Sequence, residues 1–299
     1  MGITDTTATF LIDFAREAPL GRTATLGRLE LFLDRAQLSR LARSANVAGS
    51  DIDACAQTYS EAFLKHFAGA TQVVSVDFSP YEGAGIIHDM NVPIPRDVEQ
   101  QFDTVIDGGT LEHVFNFPVA LANCMRLLRP GGRLFMFTPG NSLMGHGFYQ
   151  FSPELLYRAL SPQHGFEVRK LQAVKFRYVS TELASVGAPL DVQDPAALGT
   201  RTVVASSRPV SLHVCARKLR HLDQPFDVAP QQSDYVEAWN RQDSADAKRH
   251  WFAELIASVE WRLPGRVKWP IWNTYGRLYR NTLRNRRWFV PARGAHHDA

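Results

Sequence analysis

The sequence predicts an α/β protein built on a mostly parallel sheet, and two observations carry that prediction. The first is a set of short apolar segments without polar alternation, clearest at residues 104–106 and 134–137. Strands of that kind are buried on both faces, as parallel strands under helices are. The second is what lies between them. Phe117, Leu121, Met125 and Leu128 recur at helical spacing, and Pro130-Gly131-Gly132 then stops the helix. A strand–helix–strand unit is the crossover that parallel neighbours need.

Taken in order, residues 8–17 read as a short helix and 23–27 as the first strand. Residues 34–47 and 56–68 read as helices. The second strand, 72–76, ends in Asp77, and the third with its exit covers 86–90. The fourth strand, 104–106, is broken by Asp107-Gly108-Gly109-Thr110, where two glycines permit a sharp bend or close approach to a ligand. Asn116 is placed to cap the next helix, with Pro118 tolerated in its first turn. Ligands of such sheets bind beyond the carboxyl ends of the strands, where that loop and Thr138-Pro139-Gly140-Asn141 emerge.

Ser152 and Pro153 open a helix that runs to residue 160. Residues 166–176 and 211–219 alternate, with basic polar faces, and are expected to form an antiparallel pair at edge positions. Residues 177–209 between them show no clear period and read as a functional loop, a substrate lid if they cover the active edge. The whole is a seven-stranded sheet, its last strand antiparallel, in a domain of residues 1–220. A helical extension of residues 221–299 follows.

Composition excludes several classes. A hydrophobic content of 45% with 21% charged residues describes a chain that buries a core, not a disordered one. No apolar run reaches the ~18 residues of a membrane span. The N-terminus lacks a basic n-region and carries an acid within its apolar stretch, so no signal peptide is expected. Cys55, Cys124 and Cys215 make no CxxC pair and read as buried thiols, which suits the cytoplasm. The net charge of +3 conceals an asymmetry: residues 261–293 hold nine Lys or Arg and no acid, and all six tryptophans lie at or after Trp239. That tail admits three readings: a basic helix on an anionic membrane surface, nucleic-acid contact, or docking on its own domain. No nucleic-acid partner is expected.

The order of an acidic strand end, LEHV, a helix closing in LLRPGG, an apolar strand and TPGN resembles the class I S-adenosylmethionine-dependent methyltransferases, over about residues 20–220. The run GHGFYQFSP is similar to one in a bacterial subgroup linked to glycan or secondary-metabolite genes. The resemblance implies a Rossmann-like sheet, S-adenosylmethionine as cofactor, and a donor pocket built from Gly27, Asp77, Phe78, Asp89, Met90, Asp107, Gly108, Gly109, Thr110, Leu111 and His113. Asp77 would take the ribose hydroxyls, and Asp89 with Met90 the adenine; the same residues serve equally as a polar turn, a cap and core filler. The sequence departs from the family at its first loop, where LGRLEL offers Gly27 alone in place of a glycine-rich turn.

Methyl transfer to a hydroxyl needs a base, and histidine titrates near neutrality without help. His146, between two glycines past the fifth strand, is the candidate, with Tyr149 and Gln150 to orient an acceptor. The alternative is a structural turn in which Phe148 and Phe151 are buried and His146 caps a carbonyl. Asp107, Glu112 and His113 are too few and too local for a metal site, so no metal is expected. The acceptor implied is a hydroxyl of a saccharide or other small molecule. A nicotinamide oxidoreductase would want GxGxxG at the first helix, which is absent. A non-catalytic scaffold, binding a partner or membrane through its tail, stays open beside the enzyme.

Overall fold

The structure is a computed structural model and describes residues 2–55, 58–177, 185–199, 206–243, 264–275, 283 and 285–292. Strand β1 (Gly2–Ile3) leads into helix α1 (Asp5–Ala15). After β2 (Gly21–Leu26) come the short β3 (Glu30–Leu31), α2 (Arg35–Ala45), α3 (Gly49–Ala54) and α4 (Glu61–Ala68). Asp34 caps α2 by accepting the Gln37 N–H at 2.8 Å. Then follow β4 (Ala70–Asp77), β5 (Ile86–Ile87), β6 (Phe102–Asp107), α5 (Phe117–Leu127) and β7 (Leu128–Asn141). Helix α6 (Pro153–Ala159) is capped by Ser152, whose hydroxyl accepts the Leu155 N–H, as the sequence predicts. The chain closes with β8 (Phe166–Lys175), β9 (Leu190–Val192), α7 (Pro195–Leu198), β10 (Val210–Lys218), α8 (Ser233–Asp243), α9 (Gly265–Tyr275) and β11 (Phe289–Pro291).

The main sheet has the order β11-β9-β8-β10-β7-β6-β2-β4-β5, while β1 and β3 form a parallel pair of their own. Strands β2, β4, β5, β6 and β7 are mutually parallel and lie in the order 3-2-1-4-5 counted along the chain. The order reverses between β2 and β6, and the crevice beyond their carboxyl ends is where a doubly wound sheet takes a ligand. Strand β10 runs antiparallel to both β7 and β8.

Alternation along β6 and β7 sends side chains to two cores, one on each face. Val105, Leu134 and Met136 pack with Phe117, Leu121 and Met125 of α5 and Leu156 of α6. Ile106, Phe135 and Phe137 pack with Phe10 and Phe14 of α1, Leu38 and Leu41 of α2, and Phe63 and Phe67 of α4. Three of these rings meet edge to face, with Phe10 at 6.2 Å from Phe135 and 6.0 Å from Phe137. Cys55, Cys124 and Cys215 are free and buried, as expected.

Four expectations need correction. Among the described residues the main sheet has nine strands, not seven, because the insertion supplies β9 and the tail supplies β11. Strands of three residues are too short to show a period of two. Strands β8 and β10 are both interior, not at edges: β8 lies between β9 and β10, and the basic Lys218 of β10 is buried, its Nζ donating to the carbonyls of Met125 at 2.8 Å and Leu128 at 2.6 Å. Asn116 does not cap α5 with its side chain, because its amide is turned to the Asn91 carbonyl at 3.0 Å. The helix expected at 56–68 begins only at Glu61 in the described residues. Within the helical extension expected at 221–299, residues 244–263 and 276–282 lie outside the described residues. The described parts of the tail that touch the first core are Leu283, Trp288 and Phe289, the last two fully covered. Among the described residues no helix is long and apolar enough to cross a membrane.

Candidate active site

The crevice at the reversal of strand order is framed by the loops that leave β2, β4, β6 and β7. The first of these is shaped by packing in place of glycines. Gly27 takes a positive φ of 69° and donates its N–H to the Val76 carbonyl at 2.8 Å, tying the ends of β2 and β4 together. Leu29 then turns inward and is buried against Gly108, where a Cβ would stand 2.6 Å from Leu29 Cδ2. Gly108 is therefore a glycine because Leu29 is close. The carbonyl of Leu29 accepts the Ser60 N–H at 2.9 Å, which brings the start of α4 to this loop.

On the β4 side, Asp77 is half-buried at the strand end and its Oδ1 accepts the Ser79 N–H at 3.2 Å. Phe78 beside it is 73% exposed, so its ring is available to a ligand. Asp89 accepts both the backbone and side-chain N–H of Asn91, at 2.9 and 2.8 Å, which hold its carboxyl below the usual range. Asn91 in turn accepts the Asn116 N–H at 2.9 Å. Met90 is buried in the core with Val76 and Ile94, so it serves as core filler here and presents no ring-stacking face.

The loop after β6 is organised by Asp107, which is fully buried. Its Oδ1 accepts the N–H groups of Thr110 at 2.8 Å and Leu111 at 3.3 Å, folding the turn back on the strand end. Thr110 Oγ1 donates to the Leu26 carbonyl at 2.9 Å and links this turn to β2. Gly109 supplies the positive φ, 101°, that the turn requires. Leu111 is fully buried in the first core, so it anchors the loop and does not line a pocket. Burial first, and then the neighbouring Glu112 carboxylate, push the Asp107 carboxyl up to about 8. Its Oδ2 is buried without a hydrogen-bond partner among the described residues.

Residues Leu111–His113 form a single 3₁₀ turn, which buries Glu112 and leaves His113 exposed. The loop after β7 is pinned onto this turn: the N–H groups of Phe148 and Tyr149 donate to the Glu112 carbonyl at 2.8 and 3.2 Å. Gly147 permits that approach, since a Cβ there would stand 2.8 Å from the Glu112 carbonyl and 3.1 Å from His113 Nδ1. The consequence is a cluster not legible from sequence spacing. His146 Nε2 lies 3.6 Å from Glu112 Oε1, and its ring centroid is 5.2 Å from that of His113. Tyr149 has a different task from the one expected: its hydroxyl donates to the Phe115 carbonyl at 2.6 Å and locks the loop. Gln150 is likewise occupied, accepting the Leu143 N–H. Phe151 is buried, but Phe148 is exposed and meets the exposed Phe115 edge to face at 5.9 Å.

The structure thus brings Gly27, Asp77, Phe78, Gly108, Gly109, Thr110, His113 and His146 to one edge of the sheet. It sets Asp107, Leu111 and Met90 beneath that edge as support. Neither the packing role of Leu29 nor the burial of Glu112 follows from local pattern; an apolar residue two positions after the first strand's glycine, and an acid directly ahead of a histidine, are the only signals the sequence offers for them.

Residues 50–136 match the family model described as a methyltransferase domain. No curated protein matches the chain. Among solved structures, TehB from Haemophilus influenzae is similar at 11% identity, with a TM-score of 0.39, over 70% of this chain and 62% of that one. The chain thus spans under two-thirds of that relative. The 1,6-didemethyltoxoflavin-N1-methyltransferase of Burkholderia thailandensis, solved with S-adenosylhomocysteine, is similar at 19% identity and a TM-score of 0.37 over 72% of this chain and 77% of that one. An S-adenosylmethionine-dependent methyltransferase from Thermotoga maritima shares 14% identity, with a TM-score of 0.37, over 71% and 88%. The sheet is that of a Rossmann-like methyltransferase fold, the match over residues 50–136 is to a methyltransferase domain, and S-adenosylmethionine is the cofactor that goes with them.

The residues present fit such a group. Asp77 offers a carboxylate to a diol at the end of the second parallel strand. The buried Asp107 Oδ2 beneath the Gly108–Gly109 turn has no hydrogen-bond partner among the described residues, and the raised pKa leaves that carboxyl largely neutral, free to pair with a polar group of the cofactor.

Proposed function

We propose that this protein transfers the methyl group of S-adenosylmethionine to a hydroxyl of a small molecule, a saccharide foremost. The observation that carries the reading is His146, set at 3.6 Å from the buried Glu112 at the same strand edge as the donor loop. When bound, the cofactor supplies a methyl group on a positive sulfur, already activated for in-line displacement. The chain's part is then to hold the donor, align the acceptor and deal with the hydroxyl proton.

Asp77, Gly27 and the Gly108-Gly109-Thr110 turn hold the donor, with Phe78 and Asp89 at its base end. The cluster of His146, His113 and Glu112 activates the acceptor hydroxyl. Glu112 orients the His146 ring, and His146 takes the proton of the acceptor hydroxyl. The exposed rings of Phe115 and Phe148, beside this cluster, form an apolar face on which a sugar ring can stack.

Calorimetric titration with S-adenosylmethionine tests the donor site. Micromolar binding that weakens tenfold or more in Asp77→Ala, a loss of about 1.4 kcal/mol, is the expected result. His146→Ala should keep that affinity and lose transfer to hydroxyl acceptors. Folded protein that binds no cofactor would point to the second reading, a non-catalytic scaffold. One observation favours that reading: Leu29 fills space beside Gly108 that a glycine-rich loop would leave open. Under it, residues 261–293 meet a partner or a membrane surface with their basic and aromatic side chains, as the 61% exposed Trp269 next to Lys268 suggests.

A further inference from the structure

We propose that Glu112, His113 and His146 form a binding site for one divalent first-row transition cation of the zinc, manganese or cobalt kind. Three observations carry this. First, the three side chains each bring one ligand atom, and these atoms lie within 4.8 Å of one another. Two ligands about 2.1 Å from a shared ion at tetrahedral angles are about 3.4 Å apart. The 3.6 Å between Glu112 Oε1 and His146 Nε2 is already that separation. Rotation of the two exposed imidazoles brings in the third.

Second, Glu112 is 1% exposed, and its Oε2 has no hydrogen-bond partner among the described residues. A buried carboxylate oxygen left unpaired is costly, and a bound ion is one of the few things that repairs it. Third, the backbone is arranged to bring these residues together. The Glu112 carbonyl accepts two N–H groups from the loop that carries His146, and Gly147 leaves the Cβ space that the contact needs. Tyr149 fastens the same loop to Phe115. A loop built only to turn the chain needs none of these convergent side chains.

The donor set selects the kind of ion. Two imidazoles and one carboxylate suit zinc, manganese, iron, cobalt or nickel, whereas magnesium and calcium take oxygen ligands. Three protein ligands leave a coordination position open, as catalytic sites require. With the methyl-transfer reading above, on which this use of the site rests, an acceptor hydroxyl would take the open position. With the ion bound, His146 would be a ligand and no longer the base: the cation would lower the pKa of that hydroxyl, so that its proton leaves to solvent before the oxygen attacks the methyl carbon.

The test uses the full chain, stripped with a chelator and dialysed. Zinc, manganese and cobalt ions are titrated calorimetrically, and cobalt is also followed by visible absorption. The expected result is one ion per chain, with affinity at least tenfold weaker in both His146→Ala and His113→Ala and no measurable binding of magnesium. Both histidines are exposed, so the variants should fold, and circular dichroism checks this. S-adenosylmethionine binding is measured on the same samples without metal. Cofactor binding with no ion bound, or with an ion whose affinity ignores both substitutions, overturns the cation site while methyl transfer stands. Ion binding that depends on the histidines, without cofactor binding, upholds the site and overturns the methyl-transfer reading.

Discussion

His213 shows how far one side chain can depart from the role its type suggests. It sits in the middle of β10, fully buried, with its ring edge-on to Phe137 at 5.0 Å and Phe10 at 5.9 Å. Its Nε2 has no hydrogen-bond partner among the described residues. Burial alone pushes its pKa down to about 3. The folded state therefore refuses a proton that the unfolded chain accepts below about 6.5. Stability from this group is full above that value and is lost as pH falls through it toward the folded value. Between pH 7 and pH 5 the loss is about 2 kcal/mol. His213→Phe keeps an aromatic edge and removes the proton, so its urea-unfolding free energy should fall by about 2 kcal/mol less over that interval than the parent protein's. An equal pH dependence in the two proteins would show that His213 is not held neutral. Asp107 makes the same point about reading a sequence. Its place at a strand end was visible, but its carboxylate is turned inward to hold the N–H groups of Thr110 and Leu111, and only the fold shows that.

At the scale of elements, the parts that sequence pattern reveals are those whose burial follows a period. The α5 stripe of Phe117, Leu121 and Met125 carries such a period, the apolar runs at 104–106 of β6 and 134–137 of β7 are buried as their composition requires, and all three stand where the pattern puts them. Legibility fails where a long-range contact overrides local chemistry. Strand β10 looks like an edge strand because it carries basic residues. In the fold Lys218 closes the carboxyl end of α5, giving its charge to the carbonyl of Met125 in the last turn and to that of Leu128, which caps the helix and opens β7. Desolvation lowers the Lys218 pKa to about 8, so the amine still carries most of its charge at neutral pH. Lys218→Met preserves the length of the side chain and removes both bonds. It should lower stability by about 2 kcal/mol in urea unfolding at pH 7, the cost of leaving buried acceptors without a donor. A change below about 0.5 kcal/mol would mean that water replaces the ammonium. The candidate site fails to be legible for the same reason as β10. His146 is more than thirty positions from Glu112, and their meeting depends on Gly147 and on two backbone hydrogen bonds that no spacing rule encodes.

For the molecule as a whole, the open question at the sequence level is whether the basic, aromatic tail is a separate unit. The described end of that tail answers through packing. Phe289 is fully buried in the first core, Trp288 accepts the Gln193 N–H on its carbonyl at 2.9 Å, and β11 continues the main sheet by pairing with β9. A side chain placed in a shared core couples the element that carries it to everything else in that core. Removing it should therefore weaken the sheet and not the tail alone. The placement of the tryptophans gives two independent probes: all six lie at or after Trp239, so their fluorescence reports on the tail, while far-ultraviolet circular dichroism is dominated by the helices and strands before it. Phe289→Ala leaves a cavity in the first core and should cost about 3–5 kcal/mol. Coupling requires that both signals move to lower denaturant together and remain coincident. A fluorescence transition that shifts while the dichroism transition stays in place would show instead that the tail unfolds on its own. The sheet would then end at β9, and Trp288 and Phe289 would cover it without supporting it.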